Sequence, residues 1–154
     1  MHLFKKVIKR LLQKRITISV AESSTGGLLS SKFTSVAGIS KIFNMGLITY
    51  SNKSKSNLLK ISQNQLLKYG AVSHQTAMLM VKNLQQITKS KLCISTTGIA
   101  GPSGGTKVKP VGLIYFGIKY RNKTFILEKK FKGSRIQIQQ KTVKAIFATL
   151  EKLI

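Results

Sequence analysis

The feature that most constrains the fold is an early sequence of strand, turn and helix. Residues 16–21 read ITISVA, a short run rich in β-branched side chains, and the turn STGG separates it from the apolar segment LLSSKFTSV. This order predicts a strand, a tight turn and a helix. Further strands are predicted at MGLITYS and around Leu92 and Ile94, with helical segments between them. The alternation favours an α/β domain.

The two ends of the chain complete this prediction. The apolar stripe of LFKKVIKRLLQ predicts a first helix, and the segment from Arg135 to Leu153 predicts a last one. Ser73 is predicted to cap the helix HQTAMLMVKNLQQIT, and RNK joins two apolar runs as a hairpin. We therefore expect one domain over residues 1–154, a three-layer α/β/α sandwich around a mixed, mostly parallel sheet with a C-terminal β-hairpin.

The charge of the chain is strongly unbalanced. It carries 27 Lys and Arg against three Glu and no Asp, a net charge of +24. Such a surface attracts nucleic acid, anionic lipid or anionic metabolites. However, the lysines are spread from Lys5 to Lys152 without forming a stripe, which favours a solvated surface produced by compositional drift over a nucleic-acid site.

The cysteine content and hydropathy bear on the compartment. Cys93 is the single cysteine, so no intramolecular disulfide can form and a reducing compartment fits. No apolar run reaches 18 residues, and lysines interrupt the N-terminal segment, which argues against a signal peptide or a membrane partner. We expect a soluble, cytoplasmic protein.

The residue types also limit the chemistry. His2 and His74 lie far from any carboxylate in the sequence, Asp is absent, and Cys93 lies in a predicted strand. We therefore expect neither a metal site nor a histidine-based triad, and no cofactor. Hydroxyl groups and lysines remain, and a serine can be activated by a lysine whose pKa is lowered by burial or by nearby positive charge.

The turn after the first strand supplies the nucleophile candidates Ser23, Ser24 and Thr25. A hydroxyl there would meet the N–H groups and the positive end of the following helix, which stabilise an oxyanion or hold a phosphate. From spacing alone, the simpler interpretation is that Ser24 or Thr25 only caps this helix. Lys55, just past the second strand, is expected at the same edge of the sheet, although it could equally be a solvent lysine.

A long glycine-rich segment follows the third strand. TTGIAGPSGGTKVKP contains four glycines and both prolines of the chain. It could cradle a phosphate with N–H groups and hydroxyls, or it could be a flexible connection; its length and position favour the cradle. In open α/β sheets, ligands bind at the carboxyl ends of the strands, so both glycine-containing turns are expected to face one cleft.

Four segments, taken in order, resemble the CinA C-terminal domain family: AESSTGG, GLITYSNKSK, GAVS and TGIAGPSGGTKVKPVG. The resemblance covers nearly the whole chain, and the length is similar to that of stand-alone members, which are nicotinamide-nucleotide amidases. It implies hydrolysis of nicotinamide mononucleotide to nicotinate mononucleotide and ammonia, without metal, in pyridine-nucleotide salvage.

The resemblance also implies roles for individual residues. Ser23 would be the nucleophile and Lys55 the general base, with Tyr50 and Thr97 orienting the amide or the lysine. Residues of the two turns and of the last helix would contact the nucleotide substrate: Thr25, Gly26, Gly27, Gly98, Gly101, Gly104, Gly105 and Arg135.

Glu22 is the only acidic residue before Glu128, so we interpret it as part of the site. It is expected to hold neighbouring N–H groups, a cation such as Lys55, or the positively charged pyridinium ring of the substrate. Glu22→Gln is therefore expected to keep the fold and impair turnover or binding.

The chain departs from the family pattern at four positions. The family usually has Cys where Ser24 stands, Asp where Ser103 and Ser134 stand, and a second arginine where Gln139 aligns. Two alternatives therefore stay open beside the amidase: a degenerate member with weak activity, and a basic protein that binds nucleic acid without sequence specificity. The oligomeric state also stays open, and a homo-oligomer is compatible with the sequence.

Overall fold

The computed structural model describes residues 2–154, which form a five-stranded sheet between two layers of helices. The strands are β1 (Ile18–Glu22), β2 (Phe43–Ile48), β3 (Leu92–Gly98), β4 (Leu113–Tyr120) and β5 (Lys123–Lys130). The α-helices are α1 (His2–Gln13), α2 (Leu28–Thr34), α3 (Asn52–Leu59), α4 (Gln63–Tyr69), α5 (His74–Thr88) and α6 (Arg135–Leu153), and a short 3₁₀ turn spans Ile39–Lys41.

The sheet has the strand order β2-β1-β3-β4-β5. β1 pairs in parallel with both β2 and β3, whereas β4 is antiparallel to β3 and to β5. Four of the five strands therefore run in one direction, and only β4 opposes them. This is the mixed, mostly parallel sheet that the sequence predicted, with β4 and β5 as the C-terminal hairpin.

Each face of the sheet has its own apolar core. One core packs α1, α2 and α6 on side chains such as Ile18, Val20 and Phe116, and the other packs α3, α4 and α5 on Ala21 and Cys93. The alternation of side chains along β1, with Val20 in one core and Ala21 in the other, is the two-residue period of a strand that is buried on both faces. The three-layer prediction is confirmed.

Serines begin four of the helices. The side chains of Ser51, Ser62, Ser73 and Ser134 each accept a hydrogen bond from the backbone N–H three residues later. Such a cap contributes about 1 kcal/mol to stability. The predicted cap at Ser73 is confirmed, and the last helix has the predicted bounds.

Several boundaries differ from the sequence prediction: β1 begins at Ile18, β2 spans Phe43–Ile48 rather than 45–51, and α3 begins at Asn52, before the predicted helical segment. β1 extends through Glu22, one residue beyond the predicted run, because it stays paired with both neighbouring strands up to that residue. α2 ends at Thr34 rather than near Val36. None of the helices in the described part of the chain is long and apolar enough to cross a membrane.

Candidate active site

A cleft of about 280 Å³ lies at the carboxyl ends of β1 and β3, where the sequence placed it. Five parts of the chain form its walls: the turn after β1, the segment from Tyr50 into α3, the connection before α5, the end of β3 with the loop to β4, and the start of α6. The lining residues are Ser23, Ser24, Tyr50, Asn52, Lys55, Ala71, Val72, Thr97, Gly98, Ile99, Ala100, Gly101, Ser103, Gly104 and Arg135.

Ser23 and Lys55 meet in this cleft. The Lys55 Nζ lies 3.2 Å from the Ser23 Oγ. Lys55 is only 2% exposed and Ser23 8% exposed, so their contact is largely shielded from water. Such a distance allows direct proton transfer between the hydroxyl and the amine.

Burial lowers the pKa of Lys55 below its usual value of 10.5, because an ammonium loses hydration there. No carboxylate offsets this effect, since the only ion pair within residues 2–154 joins Lys6 and Glu151. Lys55 is also the fourth residue of α3, close to its N-terminus, where the helix dipole disfavours a cation. A larger share of Lys55 is therefore neutral, as a general base requires.

The Ser23 backbone is fixed by β3. The Ser23 N–H donates to the Thr96 carbonyl at 3.0 Å and lies 3.2 Å from the Thr96 Oγ1. The Thr96 hydroxyl also pairs with that of Thr25 at 2.8 Å. Thr96 was not predicted from the sequence; the signal that could have found it is the parallel register, which pairs Thr96 with Glu22.

Glu22 holds the start of α2. Its carboxylate is fully buried and accepts hydrogen bonds from the N–H groups of Gly27, Leu29 and Ser30, and from the hydroxyls of Thr25 and Ser30, at 2.6 to 3.1 Å. Of the three partners considered for Glu22, the neighbouring N–H groups are the ones it contacts. A buried carboxylate at a helix N-terminus is stabilised by these donors and by the helix dipole.

This arrangement corrects two expectations about the turn. Neither Ser24 nor Thr25 caps α2: the N-cap position is Gly27, which has no side-chain cap, and the Ser24 hydroxyl is buried without a partner. The first N–H groups of α2 also cannot receive an oxyanion or a phosphate, because Glu22 already occupies them. The donors that stay free are the N–H groups of Ser24 and Thr25, which donate to no atom of residues 2–154.

Tyr50 and Arg135 connect opposite walls at the mouth of the cleft. The Arg135 guanidinium donates to the Tyr50 hydroxyl and, through a second nitrogen, to the Gly101 carbonyl. Tyr50 is 57% exposed and contacts neither Ser23 nor Lys55 by a hydrogen bond. In this structure its hydroxyl therefore holds Arg135 rather than the lysine.

Thr97 connects two walls of the cleft. Its hydroxyl donates to the Ala71 carbonyl at 2.6 Å, which joins β3 to the segment before α5. Thr97 thus lines the cleft with its hydroxyl proton already engaged, and it holds the wall that Ala71 and Val72 contribute.

The β3–β4 loop offers unpaired backbone donors. Within residues 2–154, the N–H groups of Ala100, Gly101, Ser103 and Gly104 have no hydrogen-bond partner, and all four residues line the cleft. Concave groups of free N–H donors bind anions. The loop is therefore the better candidate for a phosphate cradle than the turn after β1.

Five of the predicted substrate-binding residues lie outside the cleft lining: Glu22, Thr25, Gly26, Gly27 and Gly105. The first four serve the internal structure of the turn, because the Gly26 N–H donates to the Ser23 carbonyl and the other three belong to the Glu22 network. At Gly105 a Cβ atom would lie 2.7 Å from the Val111 backbone nitrogen, so this glycine allows the loop to fold back on itself.

Asn52, Ala71 and Val72 line the cleft and were not predicted as site residues. The signal that could have found them is their place in the segments GLITYSNKSK and GAVS, which carry the family resemblance. Within residues 2–154, no three His, Cys, Asp or Glu side chains lie close enough to hold a metal ion.

The sequence model of the family described as CinA C-terminal domain matches residues 1–154. Among curated relatives, a protein of Clostridium novyi that is named as competence-damage inducible is 48% identical over 135 residues, which is 88% of this chain and 33% of that protein. A namesake from Caldicellulosiruptor saccharolyticus is 44% identical over 148 residues, 96% of this chain and 36% of its own length. The chain thus spans about a third of the curated relatives it matches.

Solved structures of similar length share the fold. A competence/damage inducible protein of Agrobacterium tumefaciens superposes with a TM-score of 0.94 at 34% identity, covering 99% of this chain and 93% of that one. The competence damage-inducible protein A of Klebsiella pneumoniae gives a TM-score of 0.93 at 27% identity, with 99% and 95% covered.

Proposed function

The chain belongs to the CinA C-terminal domain family, and we propose that it is an amidohydrolase that converts nicotinamide mononucleotide to nicotinate mononucleotide and ammonia. The observation that carries this proposal is the buried contact between the Lys55 Nζ and the Ser23 Oγ, 3.2 Å apart. The choice of substrate is supported by the family resemblance and by the free N–H donors of the neighbouring loop.

In the first step, the neutral Lys55 amine takes the Ser23 proton while the Ser23 Oγ attacks the carboxamide carbon. The oxygen of the resulting tetrahedral intermediate carries the negative charge. The free N–H group of Ser24, a residue that lines the cleft, is the donor that we assign to it. When the intermediate collapses, the C–N bond breaks, the Lys55 ammonium returns its proton to the leaving nitrogen, and ammonia departs.

In the second step, water attacks the acyl group on Ser23. Lys55, neutral again, takes a proton from this water and later returns it to the Ser23 oxygen as the ester bond breaks. The carboxylate product leaves and the free serine is restored. No metal or other co-reactant is needed, because water supplies the only added atoms.

The nucleotide phosphate is assigned to the loop and to Arg135. Two guanidinium nitrogens of Arg135 hold Gly101 and Tyr50, and an arginine has five N–H donors, so further donors stay available for an anion. Among the loop donors, Gly101 lies beside Arg135, since its carbonyl accepts a hydrogen bond from that guanidinium.

The test is ammonia release from nicotinamide mononucleotide by purified protein. We expect the release to be abolished in Ser23→Ala and in Lys55→Ala. Ser24→Ala is the matched control, because it removes the neighbouring hydroxyl, and it should keep activity. Release that persists in both the Ser23 and Lys55 variants would refute the mechanism, whereas loss in Ser24→Ala alone would move the nucleophile to Ser24.

A second function is favoured by the charge. At the edge of the sheet opposite the cleft, a concavity of about 640 Å³ is lined by Lys14, Lys89, Lys91 and Arg121 and by no carboxylate among the described residues. A protein that binds nucleic acid there should lose affinity by several decades over a fewfold rise in salt. Weak binding of duplex DNA at physiological salt would exclude this as the main function.

A further inference from the structure

Gln139 binds the turn that carries Ser23. It lies on α6, is half-buried, and donates from its Nε2 to the Ser24 carbonyl at 3.0 Å. Gln139 does not line the cleft. Among residues 2–154, its side chain forms a hydrogen bond with the Ser24 carbonyl alone.

The contact fixes one particular peptide group. The Gly26 N–H donates to the Ser23 carbonyl at 3.1 Å, which closes a four-residue turn with the Ser24–Thr25 peptide at its centre. The orientation of this central peptide is what distinguishes the common turn types. A peptide group is planar and trans, so a carbonyl held by Gln139 also sets the direction of the Thr25 N–H.

The same face of α6 reaches the other walls of the cleft. Arg135 precedes Gln139 by four residues, so the two side chains lie on one side of the helix. Arg135 holds the Gly101 carbonyl and the Tyr50 hydroxyl, and Gln139 holds the Ser24 carbonyl. One helical face therefore connects the turn, the loop and the segment between β2 and α3.

We propose that Gln139 is a positioning residue for catalysis: by holding the Ser24 carbonyl, it keeps the Ser23 turn in the orientation that aims the nucleophile and the free Ser24 N–H at the substrate. The proposal rests on Ser23 as the nucleophile. It assigns to the two residues of α6 different tasks, because Arg135 acts on substrate binding and Gln139 acts on the reacting geometry.

The chemistry of the contact suggests the variants. Gln139→Met keeps the length of the side chain and removes the donor, and Gln139→Glu replaces the donor with a carboxylate that repels the carbonyl. Gln140→Glu is the matched control, since Gln140 is the next residue of the same helix, is exposed and makes no side-chain hydrogen bond.

We expect kcat for ammonia release to fall about three- to tenfold in Gln139→Met, which corresponds to one lost hydrogen bond, and at least as far in Gln139→Glu. KM should stay within about twofold, because the substrate contacts are unchanged. Gln140→Glu should match the unmodified protein in both constants and in its denaturation midpoint, whereas the two Gln139 variants should stay folded with a midpoint lowered by the loss of one hydrogen bond.

A second readout does not depend on the natural substrate. A fluorophosphonate reacts with an activated serine, forming a P–O bond and releasing fluoride while the base takes the serine proton, and its labelling rate reports Ser23 directly. Labelling should slow in the two Gln139 variants and not in Gln140→Glu. Labelling at Ser23 without ammonia release would refute the proposed substrate while still measuring the Gln139 effect. The positioning role is overturned if both Gln139 variants keep kcat and labelling rate within twofold, or if Gln140→Glu loses as much.

Discussion

The turn after β1 and the loop after β3 both contain glycines and both border the cleft, yet they are built in different ways. The turn is closed on itself: Glu22 binds five donors, Thr96 holds the Ser23 N–H, and residues 21–25 are all buried. The loop is largely exposed from Pro102 to Lys109, and several of its N–H groups are free. A buried, hydrogen-bonded turn suits a nucleophile that must be held in place. An exposed loop with free N–H groups suits an anion that arrives with the substrate.

Among the variants that test this difference between the turn and the loop, those that remove the Glu22 carboxylate should change stability and activity most. Glu22→Ala leaves three N–H groups and two hydroxyls of the turn without their acceptor, and we expect it to lower the free energy of unfolding by about 3–5 kcal/mol. Denaturant unfolding measures this change. Activity should disappear with the turn.

The control for Glu22 is Glu128→Gln, which removes a carboxylate that is exposed and contacts only the Tyr115 hydroxyl. Its effect should stay within about 0.5 kcal/mol. If Glu22→Ala is as mild as this control, the turn is not held by its carboxylate, and the contrast with the loop fails.

Lys55→Met should separate stability from activity. The methionine keeps the buried stem and removes the amine, so we expect activity to fall by about a hundredfold to ten-thousandfold. Stability at neutral pH should rise, because an ammonium is no longer held in a desolvated position. Ammonia release and the denaturation midpoint are measured on the same preparation; a marked loss of stability would show that the ammonium stabilises the fold.

The pH dependence of stability follows from the same residue. The pKa of Lys55 is lowered in the folded protein, while the unfolded chain titrates near 10.5, so the unfolded state binds this proton more tightly. The free-energy cost of burying the Lys55 ammonium is therefore fully present below the pKa of Lys55 in the folded protein. It decreases as the pH rises from that pKa towards 10.5. The stability difference between Lys55→Met and the unmodified protein should narrow over that window, measured by denaturant unfolding at stepped pH; a constant difference would contradict the shift.

The rate should follow the same titration. Activity that depends on the neutral amine rises with pH and levels off at the Lys55 pKa, below 10.5. A profile of kcat/KM that falls over this range would exclude Lys55 as the base.

The smallest effect is expected in the loop. Gly104 has φ of +88°, and a Cβ atom there would approach Ile99 no closer than 3.8 Å, so Gly104→Ala adds backbone strain without a clash. We expect KM for the nucleotide to rise a fewfold, with kcat nearly unchanged. A fall in kcat as large as that of a turn variant would mean that the loop also fixes the nucleophile.

The fold could be predicted because it follows from local patterns, whereas the pairing of Ser23 with Lys55 followed from the family resemblance. β-branched runs, caps and helical stripes set the elements, and the parallel strands bring their carboxyl ends to one edge. The partner of Glu22 could not be derived from spacing alone, because three kinds of partner were compatible with a lone carboxylate. The prediction of an anion site at the N-terminus of α2 was wrong for a related reason. The Glu22 side chain, from the preceding strand, already accepts hydrogen bonds from the N–H groups there.

Gln139 shows a second limit. Gln139 aligns with an arginine of the family pattern, but its amide binds the Ser24 carbonyl, 115 residues away in the sequence. Contacts of this kind depend on how α6 packs over the turn, which helical periodicity does not fix. Thr96 was missed similarly, since its importance arises from the strand register.

The central claim is that Ser23 forms the covalent intermediate with Lys55 as its base. The most direct measurement is rapid acid quench of the protein during turnover of nicotinamide mononucleotide, followed by mass spectrometry of its peptides. The account predicts an acyl adduct on Ser23, and none on Ser24 or in the Ser23→Ala variant. An adduct on another residue, or full turnover by Ser23→Ala with no adduct, would contradict it.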